Sequence, residues 1–220
     1  MSQLTEITPV YDEGGDKKLR ADLAIIAEWI KPGSKVLDLG CGDGVLLAYL
    51  RDHHDVTGYG LEINAFNIEA CVERDINVIQ ADLNDGLQEY FADDSFDYVI
   101  MSQTLQATEQ PDLILQEMLR VGREGIVTFP NMAYWRARLQ LGIQGVMPVT
   151  KGLPNQWYNT PNVHLCTLRD FQSLCRQHDI DVLQRTVVDH SHRRGNLLMN
   201  LLPNLLGEVA IYRCSRSLFR

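Results

Sequence analysis

A cluster of glycines behind an aspartate is the part of this sequence best suited to hold a ligand. From Asp38 to Gly44 the chain reads Asp-Leu-Gly-Cys-Gly-Asp-Gly. Glycines in a turn after a strand permit positive φ and let a ligand approach the backbone closely. In an open α/β sheet, ligands bind at the carboxyl ends of the strands, where such turns lie. We therefore predict that Asp38, Gly40, Cys41, Gly42 and Gly44 form a ligand-binding loop.

The spacing of these glycines separates two kinds of ligand. A dinucleotide-binding loop reads G-x-G-x-x-G, with its third glycine five positions after the first. Here Gly44 follows Gly40 by four positions, and Asp38 stands two positions before Gly40. This D-x-G-x-G-x-G pattern resembles that of class I S-adenosylmethionine-dependent methyltransferases, whose ligand carries an amino-acid moiety instead of a pyrophosphate. The resemblance implies S-adenosylmethionine or S-adenosylhomocysteine as the cofactor.

A second acid follows at the distance that this interpretation needs. Glu62 ends the next predicted strand, about 20 residues after the glycine loop, where a carboxylate accepts hydrogen bonds from ribose hydroxyls. The alternative is that Glu62 only caps the following helix, but Asn64 is better placed for that task. We expect Glu62 to accept hydrogen bonds from the ribose hydroxyls, and its neighbour Ile63 to contact the same ligand.

Two further positions are candidates by their place after predicted strands. Asp82 follows the third strand, where the methyltransferase resemblance implies an acid that accepts from the adenine amino group, with Leu83 beside it. The alternative for Asp82 is a solvated loop aspartate. Ser102 and Gln103 follow the fourth strand and would face the methionine end of the ligand. A purely structural turn is the alternative for this pair.

The elements that position these residues alternate between strand and helix. Nearly continuous apolar strands in such an order are typical of a parallel sheet covered on both faces. We predict a Rossmann-like class I methyltransferase sandwich, with a mostly parallel seven-stranded sheet and helices on both faces. The predicted strands are Lys35–Leu39, Asp55–Leu61, Ile76–Gln80, Phe96–Met101, Gly125–Phe129, Asp181–Val188 and Glu208–Arg213. The predicted helices are one from Lys17 to Ile30, one after Gly44 through about Arg51, Ala65–Arg74, one near Leu87, Asp112–Leu119 and Leu168–His178.

The domain organisation predicted from this order is simple. Residues 1–16 are polar and punctuated by glycine, which predicts a flexible arm, and residues 17–220 form a single domain. The regular alternation of strands and helices is interrupted at about 131–163, and we interpret this segment as an excursion from the sheet.

Composition excludes several classes of function. The net charge is -9, whereas proteins that bind nucleic acids usually carry a basic field. Five cysteines without a C-x-x-C pair favour reduced thiols over a zinc site or a disulfide framework. The first residues lack the pattern of a signal peptide, and the most apolar stretch is too short to span a membrane. We expect a cytoplasmic protein with no metal and no membrane or nucleic-acid partner.

The excursion and the last third of the chain carry residues that could act on an acceptor. They are Tyr134, Trp135, Arg136, Arg138, Trp157, Tyr158 and His164. A packed lid or interface is favoured over catalysis for this set, and a structural role is favoured for His164 and Cys166, so the catalytic residues stay unknown. His190 and His192 are more consistent with a solvated loop than with a metal site. The segment Leu197–Leu206 is equally consistent with a partner surface and with core.

Beyond the glycine loop, the chain resembles the MetW family of methionine biosynthesis proteins from about Leu19 to Arg213. The specific marks are Val121–Ile126, Phe129–Asn131, Trp135–Gln140, Trp157–Asn162, His164–Cys166 and Leu202–Glu208. That family is associated with homoserine O-acyltransferase, so the resemblance implies an accessory protein that partners and supports this enzyme. The alternative is a methyltransferase that acts on an unknown small molecule.

Overall fold

The structure is a computed structural model that describes residues 19–189 and 197–217. The predicted arm at 1–16 and the segment with His190 and His192 lie outside the described residues. Within the described ranges, no helix has the length and apolar character needed to cross a membrane.

Within the described residues, seven strands form one sheet, and helices precede the first strand and connect later ones. The strands are β1 Lys35–Leu39, β2 Thr57–Glu62, β3 Asn77–Gln80, β4 Phe96–Ser102, β5 Gly122–Pro130, β6 Ile180–Val188 and β7 Val209–Arg216. The helices are α1 Ala21–Trp29, α2 Val45–His54, α3 Ala65–Glu73, α4 Pro111–Val121, α5 Trp135–Leu139, α6 Leu168–Gln177, α7 Leu197–Leu201 and α8 Pro203–Leu206.

The strand order is β3-β2-β1-β4-β5-β7-β6, with β7 antiparallel to both of its neighbours. The pairs among β1 to β5 are parallel, so their carboxyl ends share one edge of the sheet. The chain reverses from β3 to β4 across β1, which creates a crevice at the ends of β1 and β4. The predicted seven-stranded, mostly parallel sandwich is confirmed.

Two apolar layers hold the helices to the two faces of the sheet. On one face, Leu115 of α4 and Phe171 of α6 pack with β1, β4, β5 and β7. On the other face, Ile26 of α1, Leu46 of α2 and Cys71 of α3 form the second layer. Because both faces are covered, four of the five residues of β1 are buried. This explains why the central strands read as continuous apolar runs.

The helix predicted near Leu87 is wrong. The structure has a short 3₁₀ turn there, begun by Asp82, and Gly86 follows it with φ 83°. The intervening Asn84 and Asp85 favour turns because their side chains compete with the backbone for hydrogen bonds. Leu87 itself is fully buried, so it anchors a turn to the core and does not begin a helix.

The excursion after β5 contains one short regular element. α5 continues into a single wide turn at Gln140–Gln144, and the rest of the segment up to α6 is irregular. One of its edges is held by a parallel bridge between Asn131 and Cys166.

Asn131 also joins the excursion to the end of the chain. Its side-chain nitrogen donates to the carbonyl oxygens of Asn204 at 3.2 Å and Gly207 at 2.8 Å, and its Oδ1 accepts the N–H of Ala133 at 3.0 Å. Its backbone N–H donates to the Glu208 carbonyl at 2.8 Å. A single buried amide therefore fixes the start of the excursion against the segment that contains α8.

The leucine-rich segment Leu197–Leu206 is partly exposed and partly packed on the core. Leu198, Leu201 and Leu202 are exposed, whereas Met199 is buried and Leu206 packs on the core. α7 and α8 are thus amphipathic turns that cover the sheet with one side and present leucines with the other.

Candidate functional site

The loop between β1 and α2 has the backbone geometry that its glycines permit. Gly40, Gly42 and Gly44 adopt φ angles of 72°, 57° and 74°. A Cβ at Gly40 would lie 2.7 Å from the Thr104 side chain, and one at Gly44 would lie 2.9 Å from Cys71 Sγ. A Cβ at Gly42 would meet no protein atom within 4 Å. Gly40 and Gly44 therefore serve close packing, whereas Gly42 borders open space.

The carboxylate of Glu62 joins this loop to the start of α3. Oε2 accepts the N–H of Gly42, and Oε1 accepts those of Ile63 and Asn64, each at 2.9 Å. Two accepted bonds occupy both lone pairs of Oε1, whereas Oε2 retains one. Asn64 caps α3 by accepting the Phe66 N–H at 2.9 Å, as expected. Glu62 is thus free to accept one further donor through Oε2.

Asp38 is a buried acid with an unpaired oxygen. The residue is 3% exposed, and its Oδ1 has no hydrogen-bond partner within the described part of the chain. Burial raises the pKa of Asp38 to about 7, the Arg20 guanidinium opposes this rise, and the Glu62 carboxylate adds to it. A buried acceptor without a donor usually marks a place for a ligand or an ordered water. The oxygen is suited to a hydrogen bond from an ammonium group.

Arg20 and Asp22, at the beginning of α1, complete this region, and neither was among the residues predicted from the sequence. Arg20 binds Asp22 through both carboxylate oxygens, at 3.1 and 3.0 Å. Arg20 Nη2 also donates to Ser102 Oγ at 3.1 Å, and Gln103 Nε2 donates to Asp22 Oδ2 at 3.1 Å. The available signal was Asp22 itself, because an acid on the apolar face of a helix requires a partner when it is buried.

Ser102 and Gln103 form the turn in which this network ends. Gln103 has φ 54°, an uncommon angle for a residue other than glycine, and its backbone N–H donates to Thr128 Oγ1 at 3.0 Å. The backbone of Gln103 therefore forms a turn, and the contact of Gln103 with the methionine end of a ligand stays a prediction. Its side chain is bound to Asp22, so it would influence a ligand through α1.

Asp82 and Leu83 lie at the same edge of the sheet, because β2 and β3 end side by side. Asp82 Oδ1 accepts the N–H of Asn84 at 2.9 Å and so caps the short turn after β3. Ile63 is largely exposed, and Leu83 is half buried. The structure thus brings the two acids, Glu62 and Asp82, and their apolar neighbours to adjacent strand ends. The adenine role of Asp82 stays a prediction.

The arginines and the first two aromatics predicted to face an acceptor have separate structural partners. Arg138 Nε donates to the carbonyl of Ala133 at 2.6 Å, and the Arg136 guanidinium lies 5.3 Å from the Trp135 ring centre. Tyr134 is buried, and burial raises the pKa of its hydroxyl, so this group stays protonated at neutral pH. These side chains hold the excursion together and do not form a cluster of convergent catalytic groups.

The remaining candidates are spread over the surface. Trp157 and Tyr158 are about 70% exposed, with their rings 5.7 Å apart in an edge-to-face arrangement. His164 Nε2 lies 3.1 Å from the carbonyl oxygen of Glu109, which suits a structural histidine. Over residues 19–189 and 197–217, no group of three acidic, histidine or cysteine side chains could hold a metal ion.

The arrangement is chemically suited to an elongated polar ligand. An unpaired acid lies at the end of β1, a carboxylate with one available lone pair at the end of β2, and an acid with apolar neighbours at the end of β3. A ligand that spans these strand ends would meet an acceptor for a cation, then one for a hydroxyl, then an apolar edge.

Solved structures confirm the fold class. A methyltransferase from Mesorhizobium loti that depends on S-adenosylmethionine superposes with a TM-score of 0.63 at 15% identity, covering 89% of this chain and 98% of that one. The [4+2]-cyclase SpnF superposes with a TM-score of 0.62 at 17% identity, covering 96% of this chain and 88% of that one. Identities this low establish the fold and leave the reaction open.

Sequence comparison establishes the family. A bifunctional methionine biosynthesis protein named MetXA/MetW, from Rhodopirellula baltica, is 44% identical over 205 residues, which are 89% of this chain. The chain spans about a third of that relative's length. The family model for the methionine biosynthesis protein MetW matches residues 20–214. The chain therefore belongs to the MetW family of methionine biosynthesis proteins.

Proposed function

We propose that this protein binds S-adenosylmethionine or S-adenosylhomocysteine and acts as an accessory protein of methionine biosynthesis, which partners and supports homoserine O-acyltransferase. The observation that carries the partnership is the relative named MetXA/MetW, in which a segment similar to this chain makes up about a third of one longer polypeptide. Two domains joined in one polypeptide are held at a high effective concentration relative to each other. Two separate chains reach the same proximity only by forming a complex.

The cofactor part of the proposal is supported by the chemistry of the strand ends. The unpaired Oδ1 of Asp38 would accept from the ammonium group of the methionine moiety. Glu62 would accept one ribose hydroxyl through Oε2, and Asp82 would accept from the adenine amino group. Ile63 and Leu83 would contact the adenine ring, and Gly42 leaves room for the ligand beside the loop.

The partner surface is proposed from exposed apolar side chains on the excursion. We call this set the excursion surface, and it consists of Leu141, Ile143, Val146, Met147, Trp157 and Tyr158. Ile143 is 78% exposed and Trp157 is 71% exposed, although each would gain free energy from burial. Apolar side chains exposed in such a set usually mark an interaction site. The exposed leucines of α7 are a second candidate for the same role.

The first experiment measures complex formation and its effect on the acyltransferase. A partner that binds only the folded acyltransferase stabilises it by mass action, so the thermal midpoint of the acyltransferase should rise with the concentration of this chain. Co-purification and acyltransferase activity would be measured with the wild type, with Ile143→Asp, and with Leu113→Asp as a control. Leu113 is 50% exposed, and it lies on α4, outside the excursion. Absence of a complex at micromolar concentrations would contradict the accessory role.

Cofactor and partner need not act independently. If S-adenosylmethionine binds the complex more tightly than the free chain, the acyltransferase must tighten cofactor binding by the same factor. Titrations of the cofactor with and without the acyltransferase measure this coupling directly. Such linkage would let a downstream product of methionine metabolism report on an early step.

A second candidate is a methyltransferase that acts on a small molecule, and the shared fold favours it. Methyl transfer relies mainly on positioning, so it does not require a dedicated base in every case. The two functions differ in one product. Steady release of S-adenosylhomocysteine with an added acceptor would replace the accessory role, whereas a stable complex without turnover would support it.

A further inference from the structure

All charged residues of the excursion are basic. Residues 131–163 contain three of the 20 basic residues of the chain and none of its 29 acidic ones. The excursion therefore has a formal charge of +3, whereas the rest of the chain has a formal charge of -12. The three basic residues, Arg136, Arg138 and Lys151, are exposed, and none forms an ion pair with an acid of residues 19–189 or 197–217. They are available to an acid on another molecule.

The side chain of Gln140 closes a loop that places these cations beside the excursion surface. Its Nε2 donates to the carbonyl of Val149 at 3.0 Å, and its Oε1 accepts the N–H of Val149 at 2.7 Å. The exposed apolar side chains of this loop are Leu141, Ile143, Val146 and Met147. Arg136 and Arg138 lie on α5, directly before the loop, and Lys151 follows its end by two residues. The apolar part of the surface thus has cations at both of its chain ends.

The sign of this charge decides between the occupants that an apolar surface can have. In a twofold dimer of this chain the same patch meets itself, so the cations of one copy would face those of the other. An anionic membrane would attract the excursion and repel the rest of the chain, which carries a charge of -12. A protein face with acids around an apolar centre has neither disadvantage. The relative named MetXA/MetW supports a protein neighbour, because the segment similar to this chain is about a third of that polypeptide.

We infer that the excursion surface docks on a protein face with an apolar centre and an acidic border, and that Arg136, Arg138 and Lys151 steer the two faces together. The inference rests on the proposed function, which supplies homoserine O-acyltransferase as the partner. Opposite charges on two faces speed their encounter, whereas burial of the apolar centre slows dissociation. The charged and the apolar residues of the surface should therefore affect different rate constants.

Binding kinetics between the full chain and the acyltransferase of the same host test the charged residues. The association rate constant should fall about tenfold as NaCl rises from about 50 to about 500 mM, because salt screens the attraction. Lys151→Glu should lower this constant about tenfold at the lower salt concentration and leave the dissociation rate constant nearly unchanged. Arg123→Glu is the matched control, because Arg123 is exposed at the amino end of β5 and the excursion leaves from the carboxyl end. It should change the association rate constant less than about twofold.

A neutral substitution tests the apolar residues. Ile143→Ser should raise the dissociation rate constant about tenfold and leave the association rate constant nearly unchanged, because it removes buried area and no charge. Leu113→Ser, at an exposed position of α4, is the control and should change neither constant. Circular dichroism would show that each variant is folded, and Arg136→Glu repeats the charge test if Lys151→Glu does not fold.

The possible results separate the inference from the proposed function. Absence of a complex with the acyltransferase would overturn both. A complex whose association rate is independent of salt, or is lowered equally by Lys151→Glu and Arg123→Glu, would overturn the inference alone. Two other results would assign the surface to a different occupant and so overturn it as well: a dimer of this chain that Ile143→Ser dissociates, or binding to phosphatidylglycerol vesicles that Lys151→Glu abolishes.

Discussion

Replacing Asp38, the buried acid at the end of β1, should stabilise the protein and weaken its binding of the ligand. Asp38 is buried with Oδ1 unpaired, and burial raises its pKa from 3.8 to about 7. The variant Asp38→Asn keeps the shape and removes the charge. At alkaline pH the free variant should therefore be more stable than the wild type, because it avoids a desolvated carboxylate.

The magnitude follows from linkage between protonation and folding. The folded-state pKa lies above the unfolded one, so the stability associated with the proton is present below pH 3.8 and is lost as the pH rises through 7. By linkage, the free energy of unfolding falls by roughly 2.5 kcal/mol between about pH 5 and about pH 8, which is the larger part of the loss expected between the two pKa values. Asp38→Asn should lack this loss, since its side chain does not titrate.

The assay is urea unfolding of both proteins at several pH values, with exposed Glu73→Gln as a control for general charge effects. The stability difference between Asp38→Asn and wild type should grow with pH, while the difference for Glu73→Gln should stay constant. Affinity for S-adenosylhomocysteine should fall roughly tenfold to a hundredfold in Asp38→Asn, the range for loss of one charged hydrogen bond. A difference in stability that is independent of pH would refute the burial argument, and unchanged affinity would refute the ammonium contact.

The other predictions concern the loop, the second acid and the partner surface. Glu62→Ala should reduce cofactor affinity about tenfold to a hundredfold by calorimetry, and should lower the thermal midpoint because three backbone N–H groups lose their acceptor. Gly42→Ala should fold with a circular dichroism spectrum like the wild type, should lose a little stability because of its φ of 57°, and should bind cofactor poorly. Gly40→Ala should destabilise the chain more, because its Cβ also meets a side chain at 2.7 Å. Normal cofactor binding by Gly42→Ala would place the ligand elsewhere. Ile143→Asp should lose co-purification with homoserine O-acyltransferase and Leu113→Asp should retain it, and equal retention by both would exclude the excursion surface.

The sheet and the glycine loop were predictable because each depends on a local pattern. Continuous apolar strands and the spacing from Gly40 to Gly44 are read directly from the chain, and the structure has both. Asp22 was missed because its role depends on Ser102 and Gln103, about 80 residues away. The prediction of a helix near Leu87 was wrong because a leucine can be buried in a turn as well as in a helix. The residues next to it favour the turn.

The excursion was harder to predict for a different reason. Its one short helix is held by contacts such as that of Arg138 with Ala133, which belong to the tertiary structure and leave no periodic pattern. The sequence did not decide whether Leu197–Leu206 is buried or exposed, and in the structure only part of that segment faces the core. A sequence pattern does not indicate which face of so short a helix is covered.

Three hydrogen bonds of Asn131 have a consequence for how the molecule opens. They connect the first residues of the excursion to Asn204, Gly207 and Glu208, so these two distant segments share one buried anchor. Breaking that anchor exposes both segments at once, and regions joined in this way exchange their amide hydrogens as one cooperative unit. A partner that docks on the excursion should therefore slow exchange around α8 as well, without touching it.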